Sequence, residues 1–150
     1  MDYEEAIDII SGLFRISHWA CNEYGERYAV LDNDIDIRVS QSNTDTLVLQ
    51  GMFGEIIPTG TVSAALEHKL SYLLQANFIR IIHDDDILAI DRQLQRLSIT
   101  KNISLMRATF ESLSDDIDAF IKSMDFWDMA LQRKSSMAVL SPLLSFSLRR

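Results

Sequence analysis

Three stretches of the chain carry apolar residues at the spacing of an amphipathic helix. In the first stretch the apolar positions are Tyr3, Ala6, Ile7, Ile10, Leu13 and Phe14. In the second they are Val62, Ala65, Leu66, Leu70, Leu73 and Leu74. The third is the most regular, with alternating steps of four and three through Met106, Phe110, Leu113, Ile117, Phe120, Met124, Trp127 and Leu131. We therefore predict three helices, and we expect the third to pack along its length against another element.

Five further segments have the composition or the alternation of β-strands. They are residues 28–31, 34–39, 46–53, 78–82 and 87–91. In the second segment Ile35, Ile37 and Val39 alternate with charged residues, which is the period of two expected for a half-buried strand. The connections between the first three segments are short and rich in Asp, Asn and Ser, and such connections favour antiparallel pairing.

Turn residues mark the start of the second helix. Residues 58–61, Pro-Thr-Gly-Thr, end the third predicted strand and offer a hydroxyl N-cap. We predict that this helix ends near Asn77, just before the fourth strand. The order of elements is then α-β-β-β-α-β-β-α, which predicts a single α+β domain whose helices pack on an antiparallel sheet.

Length and composition are typical of one domain followed by a tail. A chain of 150 residues has room for one ordinary hydrophobic core, and 47% apolar with 24% charged residues is typical of a globular protein. After Gln132 the helical spacing ends, and residues 133–150 contain many serines, four bases and no acid. We expect residues 1–132 to form the domain and residues 133–150 to be a basic, mobile tail.

The charge balance argues against nucleic acid and membranes as partners. The net charge is −8, and residues 1–132 contain all 22 acids but only 10 of the 14 bases, so this part repels phosphate backbones. No apolar run approaches the roughly 20 residues that cross a bilayer. The first turn contains Asp2, Glu4 and Glu5, where an export signal has lysine or arginine. We therefore expect a cytoplasmic protein.

One motif begins like a calcium-binding loop. Asp32, Asp34 and Asp36 have the required spacing, but the sixth position is Ile37 instead of glycine and the twelfth is Asn43 instead of glutamate. The same segment alternates like a strand. We interpret it as a solvated turn that leads into a strand.

Other candidate sites also lack the partners that their chemistry requires. His18 and Cys21 are close in sequence, but no orienting group or oxyanion hole accompanies them. His83 precedes three aspartates, whose side chains point in different directions in a tight turn. Cys21 is the only cysteine, which excludes an internal disulfide and a cysteine-based zinc site. We predict no catalytic residue, no metal site and no cofactor, and hence a protein that is not an enzyme.

The apolar stripes exceed what a domain of this size can bury. Ile9 and Ile16 lie seven residues apart beside the first stripe and widen it. We expect helix two to meet another subunit, and the broad face of helix one to meet a partner.

The whole arrangement resembles the bacterial type III secretion chaperones of the Tir chaperone family, class I. The resemblance rests on the order of elements, the size and the acidity. It also rests on the amphipathic helix at residues 2–16 and on the strand at 46–55 followed by a proline turn. A leucine-rich run at 70–78 closes on Asn77 and Phe78, and the pair 79–82 and 87–91 leads to the long last helix. The match covers about residues 1–132.

The resemblance implies a homodimer paired through the second helix and a neighbouring strand. The matching positions are Leu66, Leu70, Leu73, Leu74, Ile87, Leu88 and Ile90. It also implies that an effector protein binds through an extended N-terminal segment, which lays apolar side chains on helix one and the sheet or adds a strand at a sheet edge. The matching positions are Ile9, Leu13, Ile16, Ile35, Ile37 and Val39.

Such binding keeps the effector soluble and competent for secretion, and it uses no cofactor. The secretion machinery would be a further partner. An alternative of the same fold is an adaptor or regulatory protein that binds a folded partner. A segment that is disordered when free distinguishes the chaperone from the adaptor, which would bind a folded domain equally well.

Overall fold

Three helices and six strands make up the part of the chain that the computed structural model describes, which is residues 1–31, 35–53, 64–83, 86–91 and 96–132. In chain order they are α1 (Tyr3–Phe14), β1 (Ala20–Cys21), β2 (Arg27–Val30), β3 (Asp36–Asn43), β4 (Thr46–Phe53), α2 (Ala64–His83), β5 (Asp86–Asp91), β6 (Arg96–Ser104) and α3 (Phe110–Gln132). This architecture confirms the predicted α+β class with an antiparallel sheet.

Helix α1 begins and ends at residues that satisfy its free backbone groups. The Asp2 carboxylate accepts a hydrogen bond from the Glu5 N–H at 2.8 Å, and acids in the first turn suit the positive end of the helix dipole. At the other end Arg15 adopts the left-handed conformation, with φ 57°, and closes the helix. The buried stripe consists of Ala6, Ile7 and Ile10.

The six strands form one sheet in the order β1-β2-β3-β4-β6-β5, with every neighbouring pair antiparallel. Strands β1 and β5 are therefore its two edges. One face packs against the helices, and its buried side chains include Ile37, Val39, Leu47, Leu49 and Ile99. Lys101 lies opposite Leu49 on this same face, and its ammonium group meets the Asp116 carboxylate of α3 at 3.1 Å.

Helix α3 contributes the largest part of the core, as its regular spacing predicted. Its buried residues are Leu113, Ile117, Phe120, Ser123, Met124, Trp127 and Ala130. The buried stripe is shorter than the predicted one, because Met106 precedes the helix and Phe110 is its first residue, and both are exposed. Reciprocal hydrogen bonds between Thr109 and Ser112 cap its start, at 2.9 and 3.2 Å.

The prediction of a strand at residues 78–82 is wrong, because α2 continues through these residues to His83. The preference of β-branched residues for strands depends strongly on context, so the isoleucines there do not exclude a helix. The sequence pattern also missed β1 and β6. With β1 left aside, the observed order still agrees with the predicted one.

Several predictions fall outside the described residues. They concern the N-cap at 58–61, Asp32 and Asp34 of the calcium-like motif, the side chains of His83 and Leu131, and the tail at 133–150. The tail therefore remains a prediction.

Candidate partner-binding surfaces

An open groove lies between the C-terminal end of α1 and the edge of the sheet at β2. Its volume is ≈ 770 Å³, within the range of ligand-binding clefts. Its lining is mostly apolar and comprises Phe14, Arg15, Ile16, Ser17, His18, Ala20, Tyr28, Ala29, Val30 and Leu31. Val30 is 68% exposed on the edge of this groove, which makes it an apolar side chain without cover in a single chain.

The left-handed turn at Arg15 forms one wall of the groove. The Arg15 N–H donates to the Gly12 carbonyl at 3.4 Å, and the Ile16 N–H donates to the Ser11 carbonyl at 2.8 Å. The Trp19 indole N–H donates to Ser11 Oγ at 2.7 Å and fastens the following loop back onto α1. These contacts fix Ile16 and the loop after it against the end of α1.

One residue of β2 directs its backbone N–H and C=O groups toward the groove. In an antiparallel strand the N–H and C=O of one residue point to the same side, and successive residues alternate. The Leu31 N–H donates to the Ile35 carbonyl at 2.9 Å, on the β3 side, so Val30 points to the opposite side. Strand β1 pairs only with Arg27 and Tyr28 and ends before it reaches Val30. Val30 therefore presents its N–H and C=O to the groove.

A cluster of charged and aromatic groups joins the first turn of α1 to β2. The Arg27 guanidinium donates to both carboxylate oxygens of Glu4 and lies 5.6 Å from the centre of the Tyr3 ring. The hydrogen bond to Glu4 raises the pKa of Arg27, and burial raises the pKa of Tyr3. The position of α1 relative to the sheet edge is thus set by a charged pair and an aromatic ring together.

The six residues predicted to bind an effector differ in how exposed they are. Ile16 lines the groove and Leu13 is exposed on α1, whereas Ile9 is half-buried and packs against the core. Ile35, Ile37 and Val39 are buried in the core beneath the helices, so they have no free surface for a bound segment. This corrects the prediction for these three residues, because their alternating pattern marks the face that packs on the helices.

A second apolar surface lies on α2 and the edge strand β5. Leu74 is 67% exposed and Phe78, one turn later, is 69% exposed, while Ile87 is exposed on β5. Phe78 was missed as a surface residue because the sequence pattern placed it in a strand.

Of the residues predicted to form a dimer interface, Leu74 and Ile87 are exposed. Leu73 is 2% exposed and belongs to the core, which corrects its assignment, and Leu88 is half-buried against the core. The side chains of Leu66, Leu70 and Ile90 lie outside the described part of the structure.

Within the described residues, no three His, Cys, Asp or Glu side chains come together in a way that could hold a metal ion. Cys21 is exposed and has a free thiol. Among the described helices, none is both long and apolar enough to span a membrane.

Comparison with known families decides the relationship. Residues 26–128 match the Tir chaperone protein (CesT) family, a range that runs from just before β2 to near the end of α3. The chain belongs to this family. No curated protein matches the chain.

Several solved structures share the fold of this CesT-family chain at low sequence identity. The structure of the HopA1–SchA chaperone–effector complex matches with a TM-score of 0.58 and 15% identity, and the match covers 83% of this chain and 91% of the other. The ExsC–ExsE complex matches with a TM-score of 0.58 and 13% identity, over 90% and 100% of the two chains. The Yersinia pestis type III secretion chaperone SycH, in complex with a fragment of YscM2, matches with 0.53 and 15%, over 81% and 95%.

Proposed function

We propose that this chain is a type III secretion chaperone that binds the extended N-terminal segment of an effector protein in the groove beside β2. The observation that carries the proposal is the groove itself, in which exposed apolar side chains lie next to a free strand edge. Membership of the CesT family supports it. Two of the similar structures are a chaperone–effector complex and a type III secretion chaperone in complex with a protein fragment, and this supports it further.

The segment would bind by adding a strand to the edge of the sheet. Val30 would exchange backbone hydrogen bonds with the segment, and Ile16, Tyr28 and Val30 would cover its alternate apolar side chains. Burying one apolar side chain contributes about 1.5–3 kcal/mol, against about 0.5–1.5 kcal/mol lost in ordering it. Such contacts favour binding without any chemical step, but association itself costs about 4 kcal/mol or more, so the segment must also contact surface beyond these three side chains. A segment held in this way has its apolar residues covered and remains unfolded.

The exposed surface on α2 and β5 suits a second copy of the chain. Leu74, Phe78 and Ile87 would then meet their counterparts across a two-fold axis. We propose a homodimer that works in the bacterial cytoplasm, delivers its effector to the secretion machinery, and acts by binding without catalysis or a cofactor.

The experiment begins with the protein that co-purifies with the tagged chain from its source bacterium. The N-terminal segment of that protein is then made alone, and NMR establishes whether it is disordered when free. Its affinity is measured by calorimetry for the native chain, for Val30→Asp and for Ile16→Asp. Tyr24→Asp is the matched control, because Tyr24 is 81% exposed in the β1–β2 turn and lies outside the groove lining.

The proposal predicts that both groove variants weaken binding at least tenfold while the control binds like the native chain. Unchanged affinity in the groove variants would move the site elsewhere. Equal affinity for a folded domain that lacks the disordered segment would favour the adaptor alternative.

A further inference from the structure

The side chain of Asn77 pairs with the backbone of the edge strand β5 as a second strand would. Its Nδ2 group donates to the Leu88 carbonyl at 3.1 Å, and its Oδ1 atom accepts from the Leu88 N–H at 3.0 Å. Asn77 is 9% exposed and lies on the buried side of α2. It comes one turn after the buried Leu73 and directly before the exposed Phe78. A carboxamide has the same donor and acceptor groups as a peptide unit.

The direction of these hydrogen bonds shows which side of β5 they occupy. Leu88 lies opposite Ile99 of β6, and β6 is the only strand beside β5 in the sheet of the described residues. Because both backbone groups of Leu88 reach Asn77, they point away from β6. Asn77 therefore occupies the outer edge of the sheet at the middle of β5.

The two edges of the sheet differ in this respect. At one edge the outward backbone groups of Leu88 are taken by a side chain of α2, and at the other edge those of Val30 face an open groove. An uncovered edge strand accepts any extended chain that reaches it, and natural sheets cover the edges that must not pair.

We propose that Asn77 closes the β5 edge against strand addition and so directs an extended partner segment to the β2 edge. This inference deepens the proposed function and rests on it, because it assumes that the partner adds as a strand. The pairing of Asn77 with Leu88 also leaves the exposed side chains of Leu74, Phe78 and Ile87 for contact with another copy, since an added strand would first have to displace Asn77.

The first test is hydrogen exchange of the Leu88 amide in the free chain. In the native chain this amide exchanges as slowly as the neighbouring amides that face β6, and in Asn77→Leu it exchanges at least about tenfold faster. Asn77→Asp keeps an acceptor for the Leu88 N–H and stays close to the native rate at this amide. Gln75→Leu is the matched control, because Gln75 is exposed on the same helix. A native Leu88 amide that exchanges like an open edge would overturn the inference.

The second test uses a short photoreactive peptide of alternating valine and threonine, with a lysine–glutamate pair at each end. Its cross-links are mapped by mass spectrometry. With the native chain and Gln75→Leu they fall at residues 14–31, and with Asn77→Leu a second set appears at residues 86–91. Native cross-links at β5, or an unchanged map in Asn77→Leu, would overturn the closing role. If Asn77→Leu does not fold, Asn77→Asp replaces it, because loss of the donor to Leu88 frees the carbonyl.

The outcomes separate the two proposals. An absence of native cross-links at the β2 groove would count against the proposed function. The appearance of β5 cross-links in Asn77→Leu alone would still support the closing role of Asn77.

Discussion

The Arg27 guanidinium of β2 donates to both carboxylate oxygens of Glu4 on α1, at 2.6 and 2.8 Å, and so joins two elements that are 23 residues apart in sequence. Tyr3 lies beside the pair, and its hydroxyl donates to the Val39 carbonyl of β3 at 3.5 Å. One wall of the groove is the end of α1 and the other is β2. These contacts attach the first turn of α1 to the sheet, at the opposite end of the helix from the groove.

The raised pKa of Tyr3 predicts a loss of stability at alkaline pH. Burial is the largest cause of the shift, since it disfavours the phenolate, so the folded chain holds the proton more tightly than the unfolded chain. The contribution of Tyr3 to the free energy of unfolding is complete at pH values below 10.0, the ordinary pKa of tyrosine. It is lost as the pH rises through the pKa of Tyr3 in the folded chain. In Tyr3→Phe the ring remains but the titration is absent. Urea unfolding at pH 8 and above pH 10 should show a smaller alkaline loss in the variant than in the native chain.

An equal alkaline loss in Tyr3→Phe and the native chain would contradict this prediction. Tyr24→Phe is the matched control, because it removes the same hydroxyl from a largely exposed ring.

Two glycines should respond to alanine in opposite directions. A Cβ atom added at Gly51 of β4 would lie 2.5 Å from Met124 Sδ and 3.1 Å from Phe120 Cζ, whereas one at Gly12 of α1 has nothing within 4 Å. Gly51→Ala forces α3 away from the sheet or Met124 out of its rotamer, and it should cost about 1–3 kcal/mol in the free energy of unfolding. Gly12→Ala should add about 0.5–1 kcal/mol, because alanine restricts the unfolded chain and favours the helix.

Chemical denaturation of both variants measures this difference. Stabilisation of Gly51→Ala would contradict the close contact between β4 and α3, and destabilisation of Gly12→Ala would contradict the open surroundings of Gly12.

The α2 surface predicts which substitutions separate a dimer into monomers. Leu74→Asp or Phe78→Asp places an unpaired carboxylate in the proposed interface, at a cost of several kcal/mol, and should raise the dimer dissociation constant by roughly a hundredfold or more. Gln75→Asp is the matched control on an exposed position of the same helix. Sedimentation velocity at micromolar concentration distinguishes the two states. A dimer that survives both substitutions would place the interface on another surface.

Leu73→Asp cannot serve this purpose, although the leucine spacing of the second helix first suggests it. Leu73 is buried in the core of its own chain, so the aspartate should unfold the monomer. Loss of the circular dichroism signal would identify that outcome.

The sequence predicted the elements whose pattern is regular and local. The spacing in α3 and the alternation of Ile35, Ile37 and Val39 both mark faces that the structure buries. The alternation could not show whether the covering surface is a helix of the same chain or a partner. In β6 the same alternation is interrupted by Lys101, which places an ammonium group on the core face. The Asp116 carboxylate of α3 stabilises this charge by forming an ion pair with it.

The candidate site was less predictable, because it depends on contacts between distant residues. Ile16 was expected to bind a partner, but its position opposite Val30 follows from how α1 is attached to the sheet. The pairing of Asn77 with Leu88 joins a helix to a strand and has no signature in either segment alone.

The left-handed residue at the end of α1 predicts a variant that is more stable than the native chain. Arg15 has φ 57°, a conformation that costs a residue with a Cβ atom roughly 1 kcal/mol and costs glycine nothing. Arg15→Gly relieves this strain but also frees the unfolded chain, so we expect a net gain of about 0.5 kcal/mol in the free energy of unfolding. Arg15→Ala removes the same charge and keeps the Cβ atom, so it should show no gain. If both variants were equally stable, the gain would come from the lost charge instead of the backbone.

Arg15 also lines the groove, so the same two variants test whether its side chain contacts the effector. An equal loss of effector affinity in both variants would show that the guanidinium contacts the bound segment. A loss in Arg15→Gly alone would show that the backbone conformation matters instead.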